Sequence, residues 1–132
     1  MTRARPAPVA LSPELSAEIE CKPGFGDLDP MQVVWHGHYV RFLEQAREAL
    51  MDKIGYSYAE MHASGLAWPI VDLRIKYIRP IRLAQGFRVA AHLLEYENRL
   101  KIAYEILDIA TGDRVTEAQT VQLAVTLEGE FL

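Results

Sequence analysis

Only one stretch of this chain carries a helical stripe long enough to fill a core, and most of the chain after it alternates as strands do. Tyr39, Leu43, Ala46, Leu50 and Ile54 recur at steps of three and four, the spacing that lines one face of a helix. Phe42 and Ala49 widen the stripe, while Arg41, Gln45, Glu48 and Asp52 fall on the other face. The pattern predicts a helix from about Gly37 to Lys53, stopped by Gly55 as the residue past its end. A short helical turn is expected over Tyr58 to Ala63, ended by Gly65.

The strand pattern begins at Leu66. Within Leu66 to Arg79, Val71, Leu73, Ile75 and Tyr77 alternate with Asp72, Arg74 and Lys76, which puts the two sets on opposite faces. Pro69 marks an edge or a bend in the first part of this segment, and Pro80 closes it. Phe87 to Tyr96 and Arg99 to Ile109 read as a hairpin with Glu97-Asn98 at its tip; Ile102, Tyr104, Ile106 and Asp108 share one face. Thr111-Gly112-Asp113 is a second turn, and Arg114 to Leu127 reads as one long last strand. Before the helix, Ala17 to Lys22 alternates as a first strand, ended by Pro23, Gly24 and Gly26. Residues 1–15, with Pro6, Pro8 and Pro13, read as a flexible lead-in to a single domain over 16–132. This order, strand, helix, then antiparallel strands, is an α+β arrangement. One sheet and one long helix close a core if the sheet wraps the helix. The sheet edge and its long last strand then invite a second copy of the chain, so a homo-oligomer, dimer or tetramer, is expected.

Composition narrows the function classes. Half of the 132 residues are hydrophobic, enough for a core, and the net charge of −4 gives no reason to expect nucleic acid as a partner. Cys21 is the only cysteine, which leaves no internal disulfide and no thiolate metal framework. The N-terminus lacks the apolar segment of a signal peptide, and no apolar run approaches transmembrane length. The expectation is a cytoplasmic protein without a membrane partner.

The chemistry concentrates between Phe25 and Glu44, FGDLDPMQVVWHGHYVRFLE. Asp27 and Asp29 sit on a turn closed by Pro30, and Asp29 lies seven residues before His36 at the helix start. A helix N-terminus presents unpaired N–H groups and partial positive charge. A carboxylate across a gap from those donors is placed to attack a carbonyl held there, or to activate water against it. The plainer reading of Asp29-Pro30 is a turn, where aspartate is common.

With these residues, the chain resembles the hotdog-fold thioesterases, specifically the 4-hydroxybenzoyl-CoA thioesterase and short acyl-CoA thioesterase family. The resemblance rests on Asp27, Asp29, Val34, Trp35, His36, Tyr39 and Glu44 and on the order of elements, and it covers about Ile19 to Leu127. It implies a sheet wrapped round the helix, sites at subunit interfaces, Asp29 as the catalytic carboxylate, and the backbone N–H at His36 as the group that polarises the thioester carbonyl. Where relatives usually carry glycine this chain has Gln32. Glycine allows close backbone approach or positive φ, so Gln32 is expected to narrow the pocket or to add a polar contact.

The remaining candidates have two readings each. Asp27 either raises the pKa of Asp29 by like-charge repulsion or, as the turn suggests, accepts backbone N–H groups. His36 orients substrate or packs on Trp35. Tyr39 begins the apolar stripe, so it is core with its hydroxyl near the site. Glu44 is a second carboxylate or a partner of Arg47 or Arg41. His36 and His38, two apart, do not share a helix face, so no metal is expected. Arg74, Lys76, Arg79, Arg82 and Arg88 occur with no acid between Asp72 and Glu95. They read as a patch for coenzyme A phosphates or an acidic carrier protein, or as a solvated strand face.

The function expected is hydrolysis of an acyl or aroyl thioester of coenzyme A or acyl carrier protein to free acid and thiol. Asp29 acts as nucleophile or general base, and the start of the helix at His36–Gly37 holds the carbonyl oxygen. Gln32, Trp35, Tyr39, Trp68, Arg79 and Arg82 bind substrate, and no cofactor is required. The rivals are a hotdog dehydratase using His36 as base, and a non-catalytic acyl-thioester binder.

Overall fold

The computed structural model describes residues 12–132. Most of residues 1–15, the expected lead-in, therefore lies outside the described residues. Pro13–Leu15 form a single 3-10 turn. Lys53 ties this turn to the helix end, donating to the carbonyls of Pro13 at 2.8 Å and Ser16 at 2.7 Å.

Five strands make one antiparallel sheet. They are β1 (Ser16–Cys21), β3 (Ile70–Tyr77), β4 (Phe87–Glu95), β5 (Leu100–Asp108) and β6 (Arg114–Gln122), in the order β1-β4-β5-β6-β3. The register puts Ile19, Val89, Ile106 and Thr116 in one row across the sheet, and Ala17, Ala91, Tyr104, Ala118 and Ile75 in the next. Those rows face the helix. The opposite face carries Glu20, Arg88, Lys101, Glu105, Arg74 and Lys76, as a solvated face requires.

The helix α1 (Tyr39–Lys53) buries Tyr39, Phe42, Leu43, Ala46 and Leu50 of the expected stripe and also Met51, while Ala49 and, just past its end, Ile54 are half-buried; it packs most closely on β1 and β4. Phe42 and Phe87 meet edge to face at 4.9 Å between centroids, a favoured aromatic geometry. The helix begins two residues after the expected start at Gly37, because His36–His38 form a 3-10 turn ahead of it. A second short helix, α2 (Tyr58–Ala63), is capped by Ser57, whose side chain accepts the Glu60 N–H.

Two strand boundaries differ from the sequence reading. Leu66 to Arg79 is two strands, β2 (Leu66–Ala67) and β3, separated at the Pro69 bend. The long last strand is also two: β6 ends at Gln122, and the chain turns at Leu123–Ala124 into β7 (Val125–Thr126), which pairs with β2. Alternation of Val121, Leu123 and Val125 continues through this break, so the pattern alone hides it. The Leu123 N–H leaves the ladder for the Pro69 carbonyl, at 3.3 Å.

Candidate active site

The loop between β1 and α1 is built by its two aspartates, which do different work. Phe25–Asp27 form a 3-10 turn, and Asp27 Oδ2 accepts the Gly24 N–H at 2.9 Å. The other oxygen meets the Arg41 guanidinium and lies 3.4 Å from His38 Nδ1, while the Asp27 carbonyl accepts the Trp35 N–H at 2.8 Å. Asp27 thus ties the turn to the helix start. Burial pushes its pKa up, but the Gly24 N–H and Arg41 outweigh this and hold it below the usual carboxylate range. It is an internal anchor outside the pocket, and its charge is taken up by Arg41.

Asp29 starts the next turn. Its Oδ1 accepts the N–H groups of Met31 at 2.8 Å and Val33 at 3.4 Å. The backbone closes the same turn through Asp29 N–H to the Val33 carbonyl, 2.9 Å, and Gln32 N–H to the Asp29 carbonyl, 3.0 Å. Both side-chain bonds fall on one oxygen, which leaves Oδ2 without a partner among the described residues. Gln32 takes φ +67° here, the left-handed conformation that favours glycine. Its side chain is exposed and outside the pocket, so its effect is on the backbone of the turn.

Val33 and Val34 then run extended between Leu28 on one side and Ile81–Arg82 on the other. The Val34 N–H donates to the Ile81 carbonyl at 2.8 Å, and this delivers the chain to the helix start. There the His38 N–H returns to the Trp35 carbonyl at 2.9 Å, while the N–H groups of His36 and Gly37 lie at the open end of the turn, where no intrahelical acceptor exists. The Trp35 ring lies over this turn, 5.1 Å from the His36 ring and 5.3 Å from the His38 ring. A Cβ at Gly37 would come under 3.0 Å from that ring, so glycine is required if Trp35 is to stay.

Asp29, His36, Tyr39 and Arg79 line one cavity of about 270 Å³, together with Val33, Val34, Tyr77, Ile78 and Pro80. The walls are mostly apolar with a few polar groups, as in small-molecule sites. Tyr39 is buried, and burial raises its phenol pKa, helped by Tyr77 and Asp29 and opposed by the Ile81 backbone. Arg79 pairs with Asp113 at 2.8 Å.

Other expected site residues are not brought here. Trp68 donates its indole N–H to the Tyr56 hydroxyl at 3.0 Å and gives its carbonyl to Gln122, at the β2–β3 bend. Glu44 is exposed and lies 3.8 Å from Arg47. Trp35 and Arg82 lie next to the wall without lining it. The basic cluster is divided: Arg74 pairs with Asp72 and Arg88 with Glu20 on the outer face, and only Arg79 reaches the cavity. Two residues that the sequence placed only on a strand face and in an ion pair take further roles. Tyr77 lines the cavity, and its signal was a hydroxyl-bearing aromatic at the end of an apolar strand face. Arg47 is buried among Tyr58 and Tyr104, and its place inside the apolar stripe, one step after Ala46, was the only sign.

A sheet curled around one helix, with a carboxylate loop facing that helix's first turn, is the hotdog thioesterase architecture. The chain belongs to the Thioesterase-like superfamily, whose family model matches residues 23–130. It is 31% identical over 87 residues to a putative acyl-CoA thioesterase of Bacillus subtilis, covering 66% of this chain and 61% of that one. It is 32% identical over 94 residues to a putative esterase of Synechocystis, covering 70% of this chain and 57% of that protein. These matches thus span about three fifths of those relatives. Among solved structures, a DHNA-CoA thioesterase from Staphylococcus aureus superposes with a TM-score of 0.81 at 26% identity, covering 89% of this chain and 79% of that one. A 4-hydroxybenzoyl-CoA thioesterase variant complexed with 4-hydroxybenzoyl-CoA shares the fold, with a TM-score of 0.78 at 20% identity and 88% coverage of each chain.

Proposed function

We propose that this protein hydrolyses an acyl or aroyl thioester of coenzyme A, releasing a free acid and a thiol. The observation that carries this reading is that Asp29 and the first turn of the helix, at His36, line one small apolar cavity. A thioester carbonyl placed there has its oxygen at the N–H groups of His36 and Gly37 and its carbon towards Asp29 Oδ2. Loss of one such oxyanion donor typically costs about 10² to 10³ in rate, so the helix start supplies a large share of the catalysis. Asp29 then acts in one of two ways. As a nucleophile it forms an acyl-aspartyl anhydride, expels the thiolate, and is regenerated by water. As a general base it takes a proton from water, whose oxygen attacks the carbonyl, and the thiolate leaves and collects that proton. Both routes consume one water per thioester.

The cavity, at about 270 Å³, holds the acyl part of such a substrate and leaves the coenzyme outside. Arg79, at its rim, is suited to the coenzyme's phosphates, with Arg82 next to it on the loop. The exposed apolar edge at Val71, Leu73 and Tyr77, each 40–47% exposed, is suited to a second copy that closes the pocket from the other side. We place the protein in the cytoplasm as a homo-oligomer; sedimentation at micromolar concentration checks the assembly. No helix among the described residues is long and apolar enough to cross a membrane.

The test is free-thiol release from benzoyl, short acyl and long acyl thioesters of coenzyme A, wild type beside Asp29→Asn. Turnover by the wild type and a fall of about 10² or more in the variant supports the assignment. Turnover that survives in Asp29→Asn removes Asp29 from the chemistry. Ligand binding with no thiol release by the wild type makes the protein a binder and overturns the hydrolase. A single turnover in ¹⁸O-labelled water gives a one-way test: label on Asp29 establishes the nucleophile, with water attacking the aspartyl carbonyl of the anhydride, whereas label in the acid alone fits both routes.

A further inference from the structure

We propose that the Tyr39 hydroxyl is a further catalytic group of this reaction: it donates a second hydrogen bond to the thioester oxygen held at the His36 N–H. The inference rests on the hydrolase reading above and adds to it a side-chain donor from the helix itself.

Tyr39 opens α1 and follows His36 by three positions, so the two share one face of the helix start. Helical side chains lean towards the N-terminus, which aims the long Tyr39 side chain back at the turn that carries His36. Tyr39 is 2% exposed and lines the same cavity as Asp29 and His36. Its ring is fixed by an edge-to-face contact with Tyr77, with centroids 4.8 Å apart. The Ile81 backbone N–H faces the phenol oxygen. Ile81 is itself anchored, since its carbonyl accepts the Val34 N–H at 2.8 Å. That N–H takes a lone pair of the phenol and leaves the O–H to donate.

The other side-chain donors of the cavity are engaged or exposed. The Tyr77 hydroxyl donates to the His36 carbonyl at 2.7 Å. Arg79 is paired with Asp113 at 2.8 Å, and the His36 side chain is exposed. Of these donors, only the Tyr39 O–H is both buried and without an acceptor among the described residues. A buried donor is costly until it finds an acceptor. The thioester oxygen becomes a strong one as the reaction proceeds. When Asp29 or its water adds to the carbonyl carbon, the electron pair of the C=O bond moves to oxygen. The His36 N–H and the Tyr39 O–H hold that oxyanion until the C=O bond re-forms and the thiolate leaves. Tyr39 keeps its proton throughout. Burial, Tyr77 and Asp29 together push its phenol up, against the Ile81 backbone, so the donating form prevails at neutral pH.

Tyr39→Phe removes the hydroxyl and keeps the ring packed on Tyr77. On the best thioester of the series above, kcat should fall by about 10², with KM within about threefold, since the lost bond matters most in the transition state. The melting temperature should fall by no more than about 6 °C. The second measurement replaces Tyr39 with fluorinated tyrosines, which keep the hydroxyl and make it more acidic. The hydroxyl donates only while protonated, so the wild-type rate should hold up to about pH 10. With each added fluorine the loss of rate at high pH should move towards neutral. A Tyr39→Phe protein with wild-type kcat overturns the proposal. So does a high-pH limb that ignores fluorination, which makes Tyr39 a packing residue; this limb also decides the matter if Tyr39→Phe does not fold. If the wild type releases no thiol, the hydrolase reading falls and the role of Tyr39 falls with it. If the wild type turns over and either Tyr39 result fails, only the role of Tyr39 falls.

Discussion

The two halves of the sheet share one face and one helix, yet they are built differently. Under α1 lie Val89, Ala91, Ile102 and Ile106 with Phe87, all at 0% exposure. On the far half, the row facing the same way holds Thr116, Ala118 and Thr120, and then Leu73 and Tyr77, 40% and 45% exposed. The reason is width. Strands lie about 4.8 Å apart and a helix with its side chains is about 10 Å across, so one helix covers two or three strands of five. The uncovered strand is β3, whose end at Tyr77 lies at the cavity, while Thr116 and Thr120 of β6 are buried. The covered half holds the molecule together, and the open half is free to receive a substrate or a second copy.

That division is broken or sharpened by substitutions that should separate stability from activity. The largest effect is expected on the covered side. Phe87→Ala removes a fully buried ring packed on Phe42 and should cost about 3–5 kcal/mol of stability, read by chemical denaturation. Well below its melting point the variant should still turn over at close to the wild-type rate per folded molecule. Asp29→Asn is the converse. A fall of about 10² in kcat corresponds to about 2.7 kcal/mol of barrier, with stability within about 1 kcal/mol of the wild type because the amide oxygen still accepts the Met31 N–H. An Asp29→Asn protein as unstable as Phe87→Ala would mean that the two halves are one unit.

Asp27 ties the loop after β1 to the helix start and should show a smaller effect on both stability and activity. Its pKa is depressed in the folded protein by Gly24 and Arg41, against the push of burial. The stability it contributes is therefore present above its unfolded pKa of about 3.9 and is lost as pH falls through the lower folded value. Asp27→Asn should cost roughly 1–3 kcal/mol at neutral pH. It should also flatten the acid limb of the stability–pH curve below about pH 4. A variant with the wild-type acid limb would show that Asp27 is not the group titrating there.

Legibility in the sequence obeys the same division. The covered half was legible because burial enforces periodicity: the stripe of α1 and the alternation of Ile102, Tyr104 and Ile106 are both buried as the pattern requires. The break after Gln122 was illegible because alternating apolar residues continue across it, and the cause is a backbone bond from Leu123 to Pro69, far away in sequence. At the site, the loop from Asp27 to His36 stood out because its turn residues lie just before a helix. Tyr77 did not, because its hydroxyl has meaning only once β3 is set beside the helix start. Trp68 looked like a ligand-binding aromatic, but its indole is satisfied by Tyr56, a pairing that sequence spacing does not encode.

The smallest expected effect lies in the turn that carries Asp29. Gln32 holds φ +67° and donates its N–H to the Asp29 carbonyl at 3.0 Å. That conformation costs a residue with a Cβ about 1 kcal/mol. Glycine avoids that strain but loses more chain entropy on folding, an opposing term of about 0.5–1 kcal/mol. Gln32→Gly should therefore leave stability level or raise it slightly, with a melting temperature from unchanged to about 2 °C higher. Since the Gln32 side chain is outside the cavity, kcat on a short acyl thioester should stay within about twofold. A melting temperature that fell by several degrees, and fell further on dilution, would place the Gln32 side chain against a second copy of the chain. It would then belong to the open half's interface, and the turn would not be its main role.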